Sequence, residues 1–301
     1  MNRNSIRTIP LLALMASVAA CTTTQMNPGP EHSAESHAAG PSTSVAVVSN
    51  ASLPAGADEA MARLSSSPRH GEWVMISTGP SDSIKAWVVY PERKTKAPVV
   101  IVVHEIFGVS TWIRAVADQL AADGFIAVAP DFLTMKQLPD GPDSVRTQAT
   151  VAAIRTLNSV DVQRQITAIA NYAMALPAAL PRYGVVGFCW GGAVSFEHAV
   201  RAPALGASVV YYGTSPKAET LSMVRAPVLG LYGGNDARVN ATIPAADSTM
   251  RRLGKVYSPV IYDGAGHGFL RQQSGASGAN LTATQKAWPA TIAWFRQHLG
   301  A

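Results

Sequence analysis

The sequence predicts an α/β fold, a mostly parallel sheet with helices on both faces. Three observations carry this. From about residue 70 onward, β-branched runs alternate with helical apolar periods. Some runs, Val99 to Val103 above all, are apolar throughout, as strands buried on both faces require. Seven or eight such strands fit one domain, and no internal repeat divides it.

The elements follow in order. Trp73 to Ser77 and Lys85 to Tyr90 form a leading hairpin through Gly79-Pro80-Ser81-Asp82. Val99 to Val103 starts after Pro98, and a helix over about 112–122 closes at Gly124, a C-cap position. Strands then read at Phe125 to Ala129, Gly184 to Phe188, Ser208 to Tyr212, Val228 to Tyr232 and Val260 to Tyr262. The intervening helices fall at about 144–157, 160–175, 192–201, 244–253 and 282–298.

Ahead of this domain the chain changes character. Met1 to Arg7 holds two arginines and no acid, and Pro10 to Ala20 is an apolar run of eleven residues. A bilayer span needs about 20 residues, so the run reads as the apolar region of a secretory signal. Val18-Ala19-Ala20-Cys21 resembles a bacterial lipobox, which implies a signal peptide over 1–20 and a lipidated Cys21 as mature N-terminus. Thr22-Thr23-Thr24, with no Asp at 22, resembles lipoproteins sorted to an outer membrane. The expected location is the cell envelope, anchored in the outer membrane and facing the periplasm. Residues 21–69, rich in Ser, Thr, Ala, Gly and Pro, read as a flexible linker with a short helix near Asp58 to Leu64. The folded domain is expected over 70–301.

Composition excludes several classes. With 48% hydrophobic and 14% charged residues, the chain is no disordered protein. Its net charge of +5 is scattered, so no nucleic-acid partner is expected. Cys21 and Cys189 are the two cysteines, too few for a disulfide framework or a structural zinc site. Thiol–disulfide exchange would need a second cysteine near Cys189. His104-Glu105 begins like a zinc-protease helix, but position 108 is glycine, so no metal and no cofactor is expected.

The decisive segment is Tyr183-Gly184-Val185-Val186-Gly187-Phe188-Cys189-Trp190-Gly191-Gly192. A buried strand runs into a sharp turn bearing Cys189, and a helix starts at once behind it. Gly187-x-Cys189-x-Gly191 has the spacing of a nucleophile elbow with cysteine in place of serine. The helix N-terminus is expected to favour thiolate over thiol. A thiol nucleophile needs a base, and the base an orienter. Asp236, in Tyr232-Gly233-Gly234-Asn235-Asp236, and His267, in Asp263-Gly264-Ala265-Gly266-His267-Gly268-Phe269, both follow strands. They therefore emerge at the sheet edge where Cys189 does. Asp263 is an alternative orienter. Of the other histidines, His32 and His37 lie in the linker, and His198 and His298 within helices.

Together, Gly-Phe-Cys-Trp-Gly-Gly, His104-Glu105-Ile106-Phe107-Gly108, Gly234-Asn235-Asp236 and Gly266-His267-Gly268-Phe269 resemble the dienelactone hydrolase (carboxymethylenebutenolidase) family. The resemblance runs from about residue 72 to 299. It implies an α/β-hydrolase fold and a catalytic triad of Cys189, His267 and Asp236. Glu105 would pair with the resting thiol and move when substrate binds. Backbone N–H groups of Ile106 and Trp190 would form the oxyanion hole, and Arg271 would hold a substrate carboxylate. Arg146 and Arg155 lie where a second such arginine is expected, without a motif to choose between them. Gly268 departs from the serine common after the histidine in enzymes acting on dienelactone. That substrate also arises inside cells, so a broader esterase or lactonase activity on a small molecule is expected. The rival reading is a non-catalytic envelope lipoprotein that keeps the fold as a binding module. A monomer is the default expectation.

Overall fold

The leading hairpin joins β1 (Gly71–Gly79) to β2 (Asp82–Val89) antiparallel, with Trp73 opposite Trp87 and Ile76 opposite Ile84. Six strands follow: β3 (Ala97–Val103), β4 (Ile126–Asp131), β5 (Ala179–Phe188), β6 (Ala207–Tyr211), β7 (Val228–Gly233) and β8 (Tyr257–Tyr262). They complete an eight-stranded sheet in the order β1-β2-β4-β3-β5-β6-β7-β8. β2 meets β4 antiparallel, and every pairing from β4 to β8 is parallel. This is the α/β-hydrolase arrangement. The computed structural model describes residues 50–136, 138 and 143–300. The signal segment, Cys21, the linker as far as residue 49 and the Arg146 side chain lie outside them.

Every residue of β3 is buried, which explains a run of valines with no polar alternation. The ladder between β3 and β5 shifts between Ala97 and Val99, at Pro98, which has no N–H to give. The sheet face built on Val99, Ile101, Val103 and Val185 packs against α4 (Ser159–Met174), α5 (Trp190–Arg201) and α7 (Ile243–Arg252). The opposite face, built on Val100, Val102, Val186 and Val209, packs against α2 (Thr111–Ala122) and α8 (Ala279–Leu299). Ser110 caps α2 by accepting from the Ile113 N–H, and Asn158 caps α4 through Val160 and Asp161. The eight expected strands and six main helices all occur, including α3 (Asp143–Ile154). Three short pieces were not expected: 3₁₀ turns at Ala218–Met223 and Ala276–Gly278, and the single turn α6 (Ala237–Asn240).

One boundary is corrected. Residues 50–69, expected in the linker, lie against the domain. Leu53 and Ala55 are buried, and Ala60, in helix α1 (Ala60–Ser65), is fully so. The Trp112 indole N–H donates to the Ala55 carbonyl at 3.1 Å, and Gln273 Nε2 to that of Pro54 at 2.9 Å. Arg69 grips buried Asp118 with two hydrogen bonds, at 2.7 and 3.0 Å, and Ser67 adds a third at 2.5 Å. Small residues and backbone carbonyls do the packing here, so composition alone reads the segment as a linker.

Candidate active site

Cys189 stands between β5 and α5 with φ +56° and ψ −114°. A non-glycine residue reaches positive φ only at a cost of about 1–3 kcal/mol, held by its surroundings. Those surroundings leave no room for side chains. A Cβ on Gly187 would run into the Gly191 carbonyl, and one on Gly191 into the carbonyls of Val103 and His104. The glycines at 187 and 191 thus let the first turn of α5 sit directly on the end of β3. The thiol is half-buried, and its proton affinity differs from the expected one. Burial raises the Cys189 pKa, the Trp190 backbone N–H opposes this, Glu105 raises it further, Arg238 lowers it and Asp236 raises it. Burial outweighs the helix N-terminus, so the resting sulfur is held as a thiol.

The other strand ends deliver the partners. Asp236 follows β7 and His267 follows β8, at the C-terminal edge where β5 delivers Cys189. His267 Nδ1 donates to Asp236 Oδ2 at 2.5 Å, with the carboxylate side chain 7% exposed and the imidazole 36%. A carboxylate on Nδ1 leaves Nε2 as the bare nitrogen of the neutral ring. Asp263, the alternative orienter, is exposed on the surface. Among the described contacts, no hydrogen bond joins the Cys189 sulfur to the imidazole.

Glu105 departs from expectation. Its carboxylate is paired with Arg271, Oε1 to Nε at 2.9 Å, instead of with the thiol. The two atoms face each other as an ion pair without an aligned N–H. Arg271 reaches across from the loop after His267, its guanidinium 4.9 Å from the centre of the Phe107 ring. Burial pushes the Glu105 carboxyl up to about 7, against the pull of Arg271. The physical reason for the pairing is that a buried carboxylate takes the nearest fixed cation, and the thiol is neutral.

The His104–Gly108 segment leaves β3 in a tight turn, closed by the Gly108 N–H on the Glu105 carbonyl at 3.2 Å. Within it the Ile106 N–H makes no backbone hydrogen bond among the described residues. Trp190 supplies the first N–H of α5. Beside Trp190 lies a cavity of about 240 Å³, lined by Leu157, Val162, Ala193, Val194, Glu197 and Pro216 among others. Arg155 is exposed on the surface. No cluster of three or more His, Cys, Asp or Glu fit to hold a metal stands among the described residues.

Sequence reasoning missed two residues. Tyr212, just past β6, has φ +39°, and its ring lies 5.2 Å from that of His267. Its hydroxyl is buried without a hydrogen-bond partner among the described residues. His104 is fully buried and stacks on Trp190. The sequence offers it only as half of a failed zinc motif and as the start of the His104–Gly108 segment, with no role of its own.

An elbow cysteine on this sheet, with an aspartate–histidine pair at the neighbouring strand ends, marks an α/β-hydrolase. The profile of the dienelactone hydrolase family matches residues 84–299. A Salmonella typhimurium protein provisionally named a carboxymethylenebutenolidase is 30% identical over 231 residues, covering 73% of this chain and 84% of its own. A Bradyrhizobium protein provisionally named a 2-oxo-3-(5-oxofuran-2-ylidene)propanoate lactonase is 31% identical, covering 76% and 94%. The crystal structure of a provisionally named dienelactone hydrolase from Klebsiella pneumoniae aligns with a TM-score of 0.67 at 26% identity, over 76% of this chain and 99% of that one. The chain belongs to the dienelactone hydrolase family. It is a hydrolase of lactone or ester bonds, and its substrate is a small molecule.

Proposed function

We propose that the protein is a cysteine-dependent lactone or ester hydrolase working through a thioester, with Cys189, His267 and Asp236 as its triad. The observation that carries this is the strained Cys189 elbow at the start of α5, on the same sheet edge as the Asp236–His267 pair. His267 Nε2 takes the thiol proton, directly or through Glu105 as that carboxylate leaves the Arg271 pair. The thiolate attacks the carbonyl carbon, and the N–H groups of Ile106 and Trp190 receive the oxyanion. Collapse breaks the carbon–oxygen bond, and imidazolium protonates the departing alkoxide. His267 then takes a proton from water, hydroxide attacks the thioester, and a second collapse releases the acid while the imidazolium returns its proton to the departing sulfur.

The Glu105–Arg271 pair supports a substrate bearing its own carboxylate. Such a group would compete for Arg271, and the displaced Glu105, poised near neutrality, would become a base beside the thiol. The Bradyrhizobium relative is named for a lactone of this kind, a furanone ring carrying a propanoate. The cavity beside Trp190 supports an apolar portion as well.

The test is Cys189→Ala assayed on small lactones, aryl esters and thioesters. Turnover should vanish with the melting temperature unchanged. Activity surviving in that variant would refute the thioester route, and a wild-type protein inert to the whole panel would favour a binding module. We further propose that Cys21 anchors the chain in the envelope membrane. Replacing it with serine should release the protein from the membrane fraction.

A further inference from the structure

We infer that His104 is a positioning residue that sets the oxyanion hole, fixing the aim of the Ile106 N–H and bracing Trp190 with its ring. The inference rests on the cysteine-hydrolase reading, because the hole belongs to that mechanism.

The argument starts from one peptide plane. The Glu105 carbonyl and the Ile106 N–H are opposite ends of the same trans peptide, so fixing one direction fixes the other. That carbonyl accepts from His104 Nδ1 at 2.7 Å and from the Gly108 N–H at 3.2 Å. Two donors on one oxygen stop the plane from rotating about the chain. The Ile106 N–H, with no backbone acceptor among the described residues, is left pointing away from them. A carbonyl that accepts two hydrogen bonds also polarises its peptide, which strengthens the N–H at the far end as a donor.

The other half of the hole meets the same ring. The His104 and Trp190 rings stack at 5.4 Å with 26° between their planes, and Phe132 closes on His104 at 5.4 Å. One imidazole therefore touches both segments that supply the oxyanion donors. A carbonyl can only accept, so Nδ1 carries the ring hydrogen. Burial lowers the His104 pKa and keeps the ring neutral. Nε2 is then a bare lone pair, buried without a partner among the described residues. An apolar ring would pack there without that desolvation cost, so packing alone does not account for histidine. The bond from Nδ1 does.

The test compares His104→Phe, which keeps the stack and loses the donor, with His104→Gln, which keeps a donor and loses the stack. p-Nitrophenyl acetate turnover and iodoacetamide alkylation of Cys189 are measured for each. Losing an oxyanion donor outright costs about 10²–10³-fold in kcat, so a donor left free to swing should cost His104→Phe about 10–100-fold, with KM little changed. Alkylation, which builds no oxyanion, should proceed at the wild-type rate. His104→Gln should recover part of the lost kcat, the missing stack on Trp190 accounting for the remainder. Wild-type kcat in His104→Phe, alkylation slowed in parallel with turnover, or a glutamine variant no better than phenylalanine would each overturn the inference. ¹⁵N NMR of the wild-type ring tests it without a variant: a hydrogen on Nδ1 supports it, and the Nε2–H tautomer overturns it. Turnover persisting in Cys189→Ala would instead sink the underlying reading, through a variant in which His104 is untouched.

Discussion

Asp236→Asn tests the proposed triad by setting catalysis against stability at the site. Asp236 Oδ2 takes the His267 Nδ1–H at 2.5 Å, whereas its second oxygen makes only a long 3.5 Å contact to the Val239 N–H. Asparagine caps a helix as well as aspartate does, so the cap survives the change. The imidazole does not fare as well. When the asparagine amide turns its N–H toward Nδ1, that nitrogen must be the bare one. The hydrogen then moves to Nε2, and the ring can accept no proton there from sulfur or water. The same substitution in a serine triad costs about 10⁴ in kcat. A thiol is more acidic and more nucleophilic than a hydroxyl and needs less help, so the loss here should be about 10²–10³, or about 2.7–4 kcal/mol of barrier. The assay is kcat on an aryl ester beside a thermal melt. The melting curve should barely move, because the histidine is partly exposed and its pair is screened. A variant within about threefold of wild type would refute the triad, as would one whose activity falls only because it unfolds.

Three further perturbations carry predictions of their own. In Glu105→Gln, a negative charge that opposes ionisation of Cys189 disappears, so alkylation near pH 7.5 should quicken several-fold while turnover falls. The Glu105 carboxyl is raised from 4.5 to about 7, so the folded state binds the extra proton between those values and stability falls as pH climbs through them. The melting temperature of the variant relative to wild type should therefore rise from about pH 5 to about pH 8, and a constant difference would contradict the assigned shift. Arg271→Gln should raise KM for carboxylate-bearing lactones about 10–100-fold and leave neutral aryl esters nearly unaffected. Equal losses on both would remove Arg271 from substrate binding. Cutting the chain before residue 70 removes Arg69 and Ser67 from Asp118, which is 3% exposed. Leaving a buried charge unpaired costs about 3–5 kcal/mol. A 70–301 fragment should melt roughly 6–15 °C below a 50–301 fragment, and equal melting would show the segment to be ornamental.

The sheet was legible because its strands announce themselves: Val99 to Val103 can be little else. The Cys189 elbow and the Asp236–His267 pair were legible for a related reason. Glycines crowd the places where the backbone turns sharply, and Gly187, Gly191 and Gly266 mark those turns in the sequence. The partner of Glu105 was not legible, because Arg271 lies 166 positions away and only the closed sheet edge brings them together. The docking of Leu53, Ala55 and Ala60 was hidden by composition, since its hydrogen bonds come from Trp112 and Gln273. His104 read as half of a failed zinc motif. Its contacts, a carbonyl one residue on and an indole from another strand–helix junction, leave no trace in spacing.

The half-buried thiol of Cys189 has a consequence for how the protein ages. Peroxides attack thiolate far faster than thiol, and the climb to irreversible sulfinic and sulfonic forms begins only from the ionised sulfur. With burial and Glu105 both holding the proton on, an idle molecule offers oxidants little to attack. On the proposed thioester route, oxidative inactivation should accumulate with turnovers completed, and a stored, unoccupied sample should keep its titre in peroxide that destroys a working one.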